Sequence, residues 1–113
     1  MGGYTYKNIV YHIVFSTKRR SSIITFDIMK QLRHIFNEKA ICCGYTIHIA
    51  NGNMDHVHVL VSAPPNRSVS EIVKNLKGYS SYKIPELYWQ RGFGVFTVDQ
   101  ASFDTVFNYI KNQ

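Results

Sequence analysis

Asp55-His56-Val57-His58-Val59-Leu60-Val61 is the stretch around which the rest of the chain can be ordered. It is a run of β-formers holding two histidines two residues apart. Side chains alternate faces along a strand, so His56 and His58 project from one face. Val57, Val59 and Val61 project from the other and can anchor the strand in a core. Two imidazoles side by side on a rigid strand supply two-thirds of a divalent-metal site.

Upstream, Tyr45–Ala50 reads as a strand, and Asn51-Gly52 signals a hairpin turn with a loop longer than two residues. Before that a helix starts near Thr25 or Asp27, either of which can cap it. Ile28, Leu32, Ile35, Phe36 and Cys43 recur at helical spacing, and Gly44 is placed to end the helix. Residues 6–17 read as a long first strand, followed by the basic loop Lys18-Arg19-Arg20. An exposed edge on that strand would favour a two-fold dimer that pairs edge strands.

Downstream of the histidines, Pro64-Pro65 stops the strand. Ser68-Val69-Ser70-Glu71 is a capping box that opens a second helix, with Glu71 able to reach back to the cap. Lys74, Lys77 and Lys83 make that helix basic. Tyr88–Gly94 is an aromatic, glycine-broken loop containing Arg91, and Val95–Val98 is a short last strand. Ser102 can cap a final helix in which Phe103, Val106, Phe107 and Ile110 fall at i, i+3, i+4 and i+7. The order β-α-β-β-α-β-α predicts an α+β, ferredoxin-like antiparallel sheet with helices packed on it and one helix added.

The chain's 113 residues fit one domain, with 45% hydrophobic content and no long apolar run. A formal net charge of +6 favours a polyanionic partner, nucleic acid first. Met1-Gly2-Gly3-Tyr4 carries no secretory signal, and the adjacent pair Cys42-Cys43 reads as free thiols in a reducing compartment. A cytoplasmic protein without membrane attachment is the expectation.

On the last helix Tyr109 stands roughly 110° from the centre of the apolar stripe. Gln113 lies one turn later on the same side. Both can face one point, and that point can be a metal on His56 and His58. A Gln carbonyl oxygen suits Mg²⁺ or Mn²⁺, and a phenolate can attack a phosphate activated there.

Five segments together carry a resemblance. They are Tyr11–Lys18, Asp55–Val61, Leu76–Ser81, Trp89–Gly92 and Tyr109–Gln113. In this order the chain resembles, from end to end, the single-tyrosine HUH transposases of the smallest insertion sequences. Their relatives associated with repetitive extragenic palindromes are included. The resemblance implies a DNA strand transferase that uses Mg²⁺ or Mn²⁺. It would cleave single-stranded DNA at hairpin-bearing ends through a 5′-phosphotyrosine and leave a free 3′-OH. By position, Tyr109 matches the nucleophile, His56 and His58 the histidine pair, and Gln113 the third metal ligand. The resemblance also implies a homodimer whose sheets join, in which one subunit's tyrosine helix can serve the other's histidines. The family's chains usually run on past the Asn-Gln, so a frayed last turn holding Gln113 loosely is expected here.

Simpler readings stand beside these. His12, His34 and His48 read as structural or solvent-facing. Lys18, Arg19 and Arg20 form either a solvated turn or phosphate contacts. Lys74, Lys77 and Lys83 line either an exposed helix side or a DNA groove. Trp89 reads as packing, and Phe93 as either packing or a base-stacking platform. Two rival functions are a catalytically silent module that grips structured single strands, and a metal-dependent nuclease in which water attacks.

Overall fold

A computed structural model of the chain describes residues 7–113. It contains strands β1 (Ile9–Ser16), β2 (Thr46–Gly52), β3 (His56–Ala63) and β4 (Gly94–Thr97). The helices are α1 (Phe26–Cys43), α2 (Val69–Lys83) and α3 (Phe103–Lys111). The strands form one antiparallel sheet in the order β2-β3-β1-β4. This is the expected ferredoxin-like arrangement. Tyr6, the first residue of the expected strand 6–17, lies outside the described residues.

The strand order corrects one expectation. β1 is central, paired with β3 on one side and β4 on the other. Among the described residues the free edges belong to β2 and β4, so edge pairing between copies would use those and not β1.

Alternation sorts the sheet into two faces. Tyr11, Ile13 and Phe15 of β1 and Val57, Val59 and Val61 of β3 meet α1 and α2 in the main core. From α1 come Met29, Leu32, Phe36 and Ala40; from α2, Ile72, Val73 and Leu76. The buried stripe of α1 is thus centred one position away from the expected one, with Ile28, Ile35 and Cys43 at its margin. Against the other face lies α3, whose Phe103, Val106, Phe107 and Ile110 close over Val10, Ile49 and Leu60. The helix shows the predicted spacing, and it covers only part of that face. No helix among the described residues is long and apolar enough to cross a membrane.

The helix ends reflect local chemistry. Thr25 caps α1, its hydroxyl accepting from the Ile28 N–H at 3.1 Å, and Gly44 ends the helix in the left-handed region at φ 82°. Ser68 accepts from the Glu71 N–H, but the Glu71 carboxylate pairs with Arg67 at 3.2 Å instead of reaching back. Before α3, Asp99 does the capping expected of Ser102: its carboxylate accepts from the Ser102 N–H at 2.8 Å across a short 3-10 turn.

A bulge in β2 changes which side chains reach each face. The pairing with β3 shifts between Ile47 and Ile49. The extra residue reverses the alternation beyond it. Ala50 therefore enters the main core, while Asn51 sits opposite His58 on the α3 side. His48, at the bulge, bonds Ser62 at 2.6 Å and meets Phe103 edge-on.

Candidate functional site

His56 and His58 share the α3 face of β3, with ring centroids 5.0 Å apart. They line an open cavity together with Arg20, Arg91, Tyr109 and Gln113. The Tyr109 ring lies 5.6 Å from that of His58 and is about half exposed. One chain therefore brings its own tyrosine helix to its own histidines. Phe93 and Phe96 are exposed and line the same cavity.

Each histidine has one nitrogen already engaged. His56 Nδ1 lies 2.9 Å from the Asp55 carboxylate, which Arg20 meets from the other side at 3.2 Å. His58 Nδ1 lies 2.9 Å from Nε2 of His12. In both rings Nε2 is the nitrogen left for the cavity. A carboxylate partner of this kind orients metal-binding histidines.

The electrostatics suit a metal-binding ring. Burial, and secondarily the charges of His12 and His56, pull His58 from 6.5 to about 4. It is therefore unprotonated at neutral pH, with a lone pair to offer. Burial also lowers His12. The hydrogen bond with His56, reinforced by Arg20, holds the Asp55 carboxyl below its ordinary value.

No three His, Cys, Asp or Glu side chains among the described residues are grouped to hold a metal. A third protein donor would thus be of another type. Gln113 offers one: its amide nitrogen donates to the Tyr109 carbonyl at 2.9 Å, leaving Oε1 as an acceptor beside the cavity. The amide oxygen is a donor suited to Mg²⁺ or Mn²⁺, while the two imidazole nitrogens are softer donors that favour Mn²⁺ of the two.

The end of α3 is tied down. Asn51 Nδ2 donates to the carbonyls of Ile110 and Lys111, each at 3.1 Å, and Arg33 donates to the Asn51 side-chain oxygen at 3.1 Å. The Gln113 N–H also bonds the Ile110 carbonyl. These bonds hold the end of α3 against β2, and the helix stops at Lys111, leaving Gln113 exposed one turn beyond Tyr109.

The basic residues separate into groups. Arg20 and Arg91 line the cavity. Lys18 and Arg19 line a neighbouring hollow with Tyr88. Arg19 and Arg20 both adopt left-handed backbone, φ 59° and 56°, a strained pair that delivers Arg20 to Asp55. Lys77 donates to the carbonyls of Gln90 and Gly92 at 2.7 and 2.8 Å, bracing the loop that carries Arg91. Lys74 and Lys83 are exposed on α2, across the sheet from the histidines. Trp89 packs edge-on against Phe15, and its N–H donates to Ser80 at 2.8 Å, as a core plug should.

The model of the IS200-like transposases matches residues 5–113. The chain belongs to this family. Among IS200-like relatives, the ISDra2 transposase TnpA of Deinococcus radiodurans is 27% identical over 98% of this chain and 87% of its own length. The transposase for insertion sequence element IS200 of Salmonella typhimurium is 30% identical, over 94% of this chain and 77% of its own. The crystal structure of a provisionally assigned transposase from Deinococcus radiodurans R1 superposes with a TM-score of 0.78 at 26% identity, covering 100% of this chain and 95% of that one. A REP-associated tyrosine transposase bound to a REP hairpin shares the fold, with a TM-score of 0.72 at 18% identity. It covers 97% of this chain and 70% of that one.

Two residues of this IS200-like site are not evident from the sequence. His12, for which the sequence suggests a structural or solvent-facing place, is buried against His58. Its signal is faint: it is the one strongly polar side chain within an otherwise apolar stretch of β1. Asn51 reads as a turn residue until the bulge is known.

Proposed function

We propose that this DNA transposase cleaves and rejoins single-stranded DNA at hairpin-bearing ends, with Tyr109 as nucleophile. The observation that carries the reading is one cavity lined by Tyr109, His56, His58 and Gln113. Support for a hairpin substrate comes from the REP hairpin bound by a protein of the same fold. A net charge of +6, with Arg20 and Arg91 at the cavity, suits a phosphate backbone.

His56, His58 and Gln113 would hold Mg²⁺ or Mn²⁺. When bound, such an ion neutralises charge on the scissile phosphate and makes its phosphorus easier to attack. The Tyr109 oxygen bonds to phosphorus as the bond to the 3′ oxygen breaks. The phenol gives up its proton to solvent, and the departing oxygen takes one up. The products are a 5′-phosphotyrosine and a free 3′-OH, and attack by a 3′-OH on the phosphotyrosine reverses the step. The Asp55–Arg20 pair keeps the His56 ring in place, while Asn51 keeps the tyrosine helix against the sheet. A working homodimer would join sheets through the free edges of β2 or β4. A cytoplasmic setting fits the free thiols of Cys42 and Cys43.

A labelled hairpin oligonucleotide with Mn²⁺, run on a denaturing gel, tests this reading. A protein-linked band that disappears in Tyr109→Phe is the expected result. Free cleavage product without a linked band would instead identify a nuclease. Binding without cleavage would identify a silent hairpin-binding module.

A further inference from the structure

His12 poses a problem of its own. It lies on β1, one of the two interior strands, fixed by pairing with both β3 and β4. Only 8% of it is exposed, and the His58 ring it meets is 6% exposed. Phe96 and Tyr109 wall it in, with ring centroids 5.7 and 6.1 Å away. A buried imidazole needs a hydrogen-bond partner. Here the partner is a second imidazole, through His12 Nε2 and His58 Nδ1 at 2.9 Å.

A hydrogen bond between two neutral imidazoles has a direction. One ring must carry the proton and the other must accept it. If His12 donates, His58 carries its own proton on Nε2, and that nitrogen cannot ligate. If His58 donates, its Nε2 bears a lone pair on the cavity side. We infer that His12 is a positioning residue that accepts the His58 Nδ1 proton and so fixes His58 in the tautomer whose Nε2 binds a divalent cation. The inference rests on the proposed metal site. It adds a residue that touches neither metal nor DNA and acts only through His58. His56 has the parallel arrangement, with Asp55 as acceptor. The two ligand rings are thus held by different chemistry: the half-buried Asp55 carboxylate, paired with Arg20, on one side and a buried imidazole on the other.

The test uses the full chain in two conditions. Without metal at neutral pH, ¹⁵N spectra of histidine-labelled protein should place the His58 proton on Nδ1. In His12→Leu, which removes the acceptor and keeps the space filled, the proton should move to Nε2. Calorimetry with Mn²⁺ should then show affinity about 10–100-fold weaker in His12→Leu, the usual cost of losing a residue that orients a ligand ring. His12→Gln places an amide oxygen near the lost Nε2 and should restore most of that affinity. A His58 proton on Nε2 in the wild type would overturn the inference, even if the leucine variant failed to fold. So would wild-type Mn²⁺ affinity in His12→Leu, or a glutamine variant as weak as leucine. A wild-type chain that binds no Mn²⁺ would defeat the metal site itself and this inference with it.

Discussion

The two faces of the sheet are built on opposite terms. Toward α1 and α2 the strands present Ile13, Phe15, Val57, Val59 and Val61, all buried among Leu32, Phe36, Ile72 and Leu76. Toward α3 the same strands present His12, His56, His58 and Ser62, with Leu60 and a few apolar neighbours. The first face is apolar and buried, whereas the second is only partly covered by α3 and opens into a cavity. One strand, β3, serves both through simple alternation. Stability and chemistry are therefore separable by residue parity, and substitutions one position apart should have different consequences.

Phe36→Ala gives the largest expected effect on folding. It empties a fully buried site and should cost about 3–5 kcal/mol in urea unfolding. Its folded fraction should still cleave. His58→Gln should do the reverse, abolishing cleavage while costing no more than about 1–3 kcal/mol through its disturbed bond to His12. Comparable stability losses in both would break the separation of faces.

Gly52 joins the two faces at the hairpin. A Cβ there would fall on the His56 carbonyl oxygen and 2.8 Å from Val57 Cα. Gly52→Ala should cost about 1–3 kcal/mol by overpacking and also impair cleavage, because His56 must shift. Retention of wild-type metal affinity would show that the hairpin absorbs the strain elsewhere.

Asn51→Ala should cost about 1–3 kcal/mol, since it removes two donated and one accepted side-chain hydrogen bond. Cleavage should slow with hairpin affinity unchanged, since the tyrosine helix loses its tether and the DNA contacts do not. A changed hairpin Kd with an unchanged rate would argue against this role.

The buried histidines make the α3 face sensitive to acid. His58 titrates at about 4 in the folded chain, against 6.5 when unperturbed. Between those values the unfolded state binds a proton that the folded state does not. Stability of the metal-free protein should therefore fall as pH drops from 6.5 toward 4. His12 and His48 act in the same direction. His58→Gln should flatten this slope, as followed by urea midpoints across the range.

The smallest expected effect is on the salt dependence of hairpin binding. Each DNA phosphate that is no longer neutralised should flatten the log–log slope by roughly 0.7. Removing the charges of Arg20 and Arg91, at the cavity, should do so. Removing those of Lys74 and Lys83, on the α2 side, should leave the slope unchanged. Equal effects would mean that DNA wraps both faces.

Much of this architecture is legible in the sequence, because it depends on local periodicity. The alternation at residues 55–61 places the histidines opposite the valines, and the stripe on the last helix leaves Tyr109 beside its apolar side. Thr25 and Ser68 mark helix starts through the chemistry of orphan N–H groups. The capping role of Asp99 is hidden because a 3-10 turn precedes α3. Sheet order is not local, so β1 reads as an edge strand although it is central. His12 escapes a sequence reading for the same reason: its partner is 46 residues away on a neighbouring strand. The β2 bulge carries no sequence signature of its own, yet it turns Asn51 toward the tyrosine helix.

The mechanism stands or falls on Tyr109, one of eight tyrosines, forming the bond to DNA. Wild-type protein incubated with hairpin oligonucleotide and Mn²⁺ can be digested with nuclease and protease and mapped by mass spectrometry. The expected product is a nucleotide joined through its 5′-phosphate to Tyr109, on the peptide that contains Asn108 and Ile110. A nucleotide joined to any other tyrosine, or cleaved DNA with every tyrosine unmodified, would refute the assignment.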